Sequence, residues 1–164
     1  MERRTFLKGV SAGGLVAIAG CTDNETDSPV NASRTTTGEN DEPDATITLD
    51  NVGAQAWEVL EAPDVVVEEG GQNPLLRLTS GIRYRFVNQG GAAVHPLGFV
   101  ANGETVLAQT DAGAREDDPE IGYVEHDGAV DFTLTPALAA DLNGYVCLVH
   151  DSMEGRIVTD ITEA

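Results

Sequence analysis

From about Thr46 to Thr162 the chain never holds one hydrophobic pattern for more than a few residues. Short apolar or alternating runs recur, and Gly, Pro, Asn or Asp breaks each of them. A sequence punctuated this often cannot build long helices or the alternating strand–helix units of a parallel sheet. It reads as strands near Ala45–Asp50, Ala56–Glu61, Val65–Glu68, Leu75–Thr79, Arg83–Asn88, Pro96–Val100, Thr105–Ala108, Gly122–His126, Val130–Leu134, Gly144–Val149 and Gly155–Ile161. In Ile82-Arg83-Tyr84-Arg85-Phe86-Val87 the period is two: Ile82, Tyr84 and Phe86 face one way, both Arg and Val87 the other. Val130-Asp131-Phe132-Thr133-Leu134 repeats that pattern. Only Pro136–Leu142 reads as a helix, with Pro136 at a first-turn position. The pattern predicts an all-β sandwich in which some of the eleven segments are edge pieces or turns. A length of 164 residues suits one such domain with appendages.

The appendage precedes the domain. Residues 1–20 read as an export signal: the twin-arginine pattern Arg3-Arg4-Thr5-Phe6-Leu7-Lys8, then an apolar stretch from Gly9 to Gly20. That stretch is shorter than the roughly 20 residues needed to cross a bilayer. Ile18-Ala19-Gly20-Cys21 reads as a lipobox, which makes Cys21 the lipid-bearing N-terminus of the processed chain. Residues 21–45 are polar and rich in Thr, Ser, Asn, Asp and Glu. They predict a flexible acidic linker, because so little apolar surface cannot offset the entropy of ordering. Two sequons, at Asn24 and Asn31, are candidate N-glycosylation sites within it. The domain is expected over 46–164, held at the extracytoplasmic face of a membrane.

Charge narrows the partners. The chain carries 28 acidic and 9 basic residues, a formal charge of −19, and its single lysine is Lys8. Removing residues 1–20 leaves 6 Arg, no Lys and a charge of −21. The balance argues against a nucleic-acid partner, since phosphate neutralisation requires clustered basic side chains. At about 1 M salt the Debye length shrinks to about 3 Å and self-repulsion is screened. Acid excess without lysine resembles proteins of extreme halophiles, and it predicts a salt-loving archaeal source and a fold that weakens in low salt.

Four side chains carry candidate chemistry. His95 follows a strand and a Gly-rich turn in Asn88-Gln89-Gly90-Gly91-Ala92-Ala93-Val94-His95. Cys147, His150 and Met153 recur at a spacing of three between two strands. One tight loop can therefore present a thiolate, an imidazole and a thioether, and a neighbouring strand can add a second imidazole. Soft sulfur donors with imidazoles favour copper, whereas Met is a poor ligand for zinc, and calcium and magnesium require oxygens. A trigonal His-His-Cys plane with a weak axial Met is the blue-copper arrangement.

Tyr145-x-Cys147-x-x-His150-x-x-Met153-x-Gly155 resembles the C-terminal copper loop of the cupredoxins, and its short spacing is similar to that of amicyanin. With the lipobox, the tether and the acidity, the chain resembles the halocyanin type of that family. The resemblance implies a Greek-key sandwich of about eight strands. It implies one mononuclear type 1 copper ion, with His95, Cys147 and His150 as equatorial ligands and Met153 as the axial one. It further implies a non-enzymatic, monomeric carrier that passes single electrons between transient redox partners at the membrane. Two positions depart from the family pattern. Pro96 stands where many cupredoxins place an Asn or Ser that braces the Cys loop, and Leu148-Val149 stands where Pro is common, which predicts a less stiff loop. A copper-delivery module and a metal-free accessory domain are the alternatives.

Other residues read as structural. Cys147 alone would pass for core, and Trp57 is expected to anchor it. His126 lies in a polar turn and reads as solvated. Glu116-Asp117-Asp118-Pro119-Glu120 reads as a solvated acidic loop. An apolar rim around His150 is expected from Pro96, Leu97, Leu148, Val149 and Met153. No order of Ser, His and Asp suggests a hydrolase, and three His are too few for a multicopper oxidase.

Overall fold

The computed structural model describes residues 42–63, 67–68, 71–110 and 113–160. Cys21, Asn24, Asn31 and the expected signal segment lie outside the described residues, as do positions 65 and 66 of the third expected strand.

Two sheets face each other. The first has the order β2-β1-β5-β9-β8, from β1 (Ala45–Val52), β2 (Ala56–Glu61), β5 (Arg83–Asn88), β8 (Val124–His126) and β9 (Ala129–Thr133). The second has the order β3-β4-β11-β10-β6-β7, from β3 (Val67–Glu68), β4 (Leu75–Thr79), β6 (Leu97–Ala101), β7 (Glu104–Ala108), β10 (Leu142–Cys147) and β11 (Glu154–Asp160). Pairing is antiparallel except for β1 with β5 and β4 with β11. The expected β-sandwich is present, but with eleven strands among the described residues rather than about eight. All eleven expected segments form strands, and the shortest, β3 and β8, are edge pieces.

Side-chain alternation explains the layers. Along β5, Tyr84, Phe86 and Asn88 are buried while Arg83, Arg85 and Val87 are half-buried. Phe86 stacks on Phe132 of β9 at 5.7 Å, with only 3° between the rings. Phe99 of the opposite sheet meets both edge-on, at 4.8 and 4.9 Å. These three rings join the sheets with the tilted geometry aromatic quadrupoles favour. Trp57 and Tyr145 are also fully buried, so Trp57 belongs to the core as expected.

The one helix, α1 (Pro136–Asp141), ends one residue before the expected limit. Thr135 caps it by accepting a hydrogen bond from Leu138 N at 3.1 Å, and Pro136 occupies the first turn. Leu142 is already extended and begins β10, two residues earlier than expected.

Two structural readings need correction. Asp131 shares the outward face of its strand with Thr133, yet its side chain is only 1% exposed. Arg85 covers it with a fork of 2.7 and 2.6 Å bonds, and His126 Nε2 lies 3.0 Å away. Burial pushes the Asp131 carboxyl up, but the hydrogen bonds from Arg85 and His126 outweigh it and hold the group below its ordinary range. His126 is thus a hydrogen-bond partner of a buried carboxylate, 42% exposed, and not simply solvated. In the acidic loop, Asp117, Asp118 and Glu120 are exposed, but Glu116 is not merely solvated: its Oε1 accepts from Ala108 N at 2.9 Å and Gly113 N at 2.6 Å.

Candidate metal centre

His95, Cys147 and His150 converge. One ligand atom from each lies within 4.8 Å of the others. Cys147 Sγ is 3.5 Å from His150 Nδ1 and 4.0 Å from His95 Nδ1. Sulfur and nitrogen donors bound to one ion at about 2.0–2.3 Å, with an angle between tetrahedral and trigonal, stand about 3.5–3.7 Å apart. The Cys147–His150 spacing matches one shared ion, and the Cys147–His95 spacing is a few tenths of an ångström longer. Cys147 is a free, buried thiol.

The strands explain the convergence. In the β6–β10 ladder Leu97 is the register partner of Cys147, so His95, two residues before Leu97, is carried to the mouth of the Cys loop. A Gly91 turn at φ 84 sends the chain back toward it, with Val94 N and His95 N both donating to Gly91 O. A positive φ is ordinary for Gly and unfavourable for a side chain with a Cβ. The His95 and His150 rings lie 4.7 Å apart, and Trp57 meets His95 edge-on at 6.3 Å. Burial holds the His95 imidazole below its ordinary pKa, and like-charge repulsion from His150 adds to this. His95 is therefore neutral near pH 7, the form that ligates a metal.

The loop from Leu148 to Ser152 is pinned on several sides. Cys147 N donates to Met153 O at 2.8 Å, and Met153 N donates to His150 O at 3.0 Å. Leu148 N donates to Pro96 O at 2.9 Å. Ser152 O accepts from Asn73 Nδ2 at 3.0 Å, and Ser152 Oγ donates to Ala54 O at 2.8 Å. The stiffness not supplied by Pro in the loop, nor by an Asn or Ser at position 96, is supplied by main-chain bonds and by the Asn73 crosslink.

Met153 is fully buried within the closed loop. Pro96, Leu97 and Met153 are buried, so they do not form the expected exposed rim. Val149, 61% exposed, is the exposed rim residue that was expected, and Val94, 58% exposed, joins it on the His95 side although the expected rim did not include it.

The motif's terminal Gly155 has a steric role. It is the register partner of Tyr145, and a Cβ there would overlap the buried Tyr145 ring. Tyr145 Oη donates to Pro74 O at 2.7 Å, and burial raises its pKa well above the ordinary phenol value.

No family model matches the sequence, and no curated protein matches it. Among solved structures the chain is similar to reduced rusticyanin at 16% identity, covering 70% of this chain and 78% of that one with a TM-score of 0.37. It is similar to rusticyanin from Thiobacillus ferrooxidans at 17% identity, 70% and 76% coverage and a TM-score of 0.36. It is also similar to a reduced proline-to-phenylalanine variant of amicyanin at 17% identity, 73% and 87% coverage and a TM-score of 0.35. Both are cupredoxins, the class the ligand loop resembles. At these identities and TM-scores it is the chain's own donor set that defines the site. The fold is a two-sheet β-sandwich of the cupredoxin type, and at one end of it Cys147, His95 and His150 are brought together.

Proposed function

We propose that this protein is a blue-copper electron carrier, exported and lipid-anchored through Cys21 at the extracytoplasmic face of a membrane. The observation that carries the reading is the cluster of Cys147 Sγ, His95 Nδ1 and His150 Nδ1, all within reach of one ion. The donor chemistry fits copper: the Cys147 thiolate, the two imidazoles and the buried thioether of Met153 would hold it. When bound, copper supplies one-electron chemistry between its cuprous and cupric states.

The chain's own residues do the rest. Cys147 and His95 are buried and keep bulk water from the donors, while half-buried His150 brings its ring toward the surface beside Val149. Electrons would enter and leave through that imidazole. The pinned loop keeps the donors in one arrangement, which lowers the reorganisation accompanying each transfer. Two exposed valines, Val94 and Val149, suit a small, transient docking contact with redox proteins at the membrane. Cupredoxins are electron carriers rather than enzymes, and no catalytic group is assigned. The signal-like N-terminus and the acidic composition support a membrane-tethered protein of a halophilic archaeon.

The test is titration of the purified protein with cupric ion. The expected result is one equivalent bound with an intense visible thiolate-to-copper band, lost in Cys147→Ser and shifted in Met153→Leu. Reversible voltammetry would complete the case. Bound copper that is colourless and exchanges rapidly would instead indicate delivery, and no stoichiometric binding would indicate an accessory domain.

A further inference from the structure

Two buried amides stand behind His95. Asn88, the last residue of β5, belongs to one sheet, and Gln109, directly after β7, belongs to the other. Asn88 Nδ2 donates to His95 O at 2.7 Å and to Gln109 Oε1 at 2.7 Å. Gln109 Oε1 also accepts from Leu97 N at 3.1 Å, while Gln109 N donates to Leu97 O at 2.8 Å. Gln109 therefore grips Leu97 on both its N–H and its C=O. Pro96 has no N–H, so the Leu97 amide is the first main-chain donor after His95. The residues on either side of the ligand-bearing turn are thus held by one amide pair that spans both sheets.

Amide orientation follows from the main chain. Leu97 N–H needs an acceptor and His95 C=O needs a donor, so Gln109 must present its oxygen and Asn88 its nitrogen. Gln109 is fully buried, and its Nε2 has no partner among the described residues. An apolar side chain of similar length would fill the same space but would leave the Leu97 N–H without its acceptor. The chain also turns sharply after Gln109: Thr110 has φ 72, an unusual conformation for a β-branched residue, and Glu116 holds the preceding Ala108 N. A buried amide left partly unsatisfied beside a strained residue is an expensive way merely to fill a core.

We propose that Gln109, with Asn88 as its partner, is a positioning residue for the metal centre: it fixes the His95–Leu97 main chain and so aims the His95 ring, taking over the bracing that Pro96 cannot provide. This rests on the copper reading above.

The experiment uses Trp57, the only tryptophan in the chain, whose ring lies 6.3 Å from that of His95. Its emission is expected to be quenched when cupric ion binds, so affinity is read by titrating the purified protein. Gln109→Met keeps the length and removes the acceptor, whereas Gln109→Glu keeps an acceptor oxygen. Gln109→Met is expected to bind cupric ion at least about tenfold more weakly, in the range typical when outer-shell partners of metal-ligating histidines are lost. It should also lose hydrogen-exchange protection at the Leu97 amide. Gln109→Glu, compared with the parent at the same pH, should recover most of the affinity. If Gln109→Met binds copper as tightly as the parent and with an unchanged visible band, Gln109 only fills space and the proposal is wrong. If Gln109→Met does not fold, Gln109→Asn makes the same test by withdrawing the oxygen one methylene; parental affinity there overturns the proposal equally. Failure of the parent to bind copper at all would refute the copper reading instead, and the two failures are therefore separable.

Discussion

Replacing Gly155 by Ala should damage this domain more than any other single methyl group added on β10 or β11. The added Cβ would occupy the space of the Tyr145 ring, overlapping Cζ, Cε1 and Oη. Tyr145 cannot swing outward, because its ring is fully buried and its hydroxyl is tied to Pro74 O at 2.7 Å. Overpacking alone costs about 1–3 kcal/mol. Forcing the ring aside also strands the buried hydroxyl, which costs about 1–3 kcal/mol more. The sum, about 4 kcal/mol at mid-range, corresponds to a fall in melting temperature of roughly 10–20 °C for a domain of this size. The same displacement pulls on Pro74 and hence on neighbouring Asn73, which anchors Ser152 of the ligand loop. The assay is urea and thermal unfolding at molar salt for Gly155→Ala, Tyr145→Val and the double variant. The overlap exists only while the ring is present, so the double variant should be no less stable than Tyr145→Val alone. A Gly155→Ala protein within about 1 kcal/mol of the parent, or strict additivity in the cycle, would refute the steric account.

Three further outcomes are expected. Asp131 has a folded pKa below its unfolded value, so its contribution is complete above about pH 4 and is lost as pH falls through the folded value; Asp131→Asn should therefore flatten the acid limb of a stability–pH curve and lower stability at pH 7 by about 2–4 kcal/mol. Asn73 has φ 55, accepts from Trp57 N at 2.8 Å and donates to Ser152 O; Asn73→Ala should cost about 1–3 kcal/mol in urea unfolding, and Asn73→Gly, which keeps the backbone conformation, less. With a formal charge of −19, the chain should melt at a markedly lower temperature in millimolar than in molar salt, and a melting temperature independent of salt would remove the inference of a halophilic source.

The strands were legible because their signal is local. A period of two, cut by turn residues, locates each segment without reference to any other, and all eleven expected segments are strands. The helix was legible for the same reason: Thr135 and Pro136 are start signals adjacent in the chain. Features that failed to show depend on partners remote in sequence. Asp131 looked like an outward polar residue because its cover, Arg85, lies 46 positions away. Pro96, Leu97 and Met153 looked like rim residues, but the packing of two sheets around them buries all three, while Val94 is left exposed. The amide pair behind His95 joins positions 21 apart on different sheets, and no spacing rule announces it.

The candidate site divides along the same line. The sequence by itself confines Cys147, His150 and Met153 to one short loop, since they recur at a spacing of three. That His95 completes the set, with its Nδ1 4.0 Å from a sulfur 52 residues on, was decided only when β6 paired with β10 and set Leu97 opposite Cys147. Local spacing can choose the kind of donor, because donor chemistry belongs to the side chain. The distance between donors belongs to strand register, and register is a property of the folded sheet.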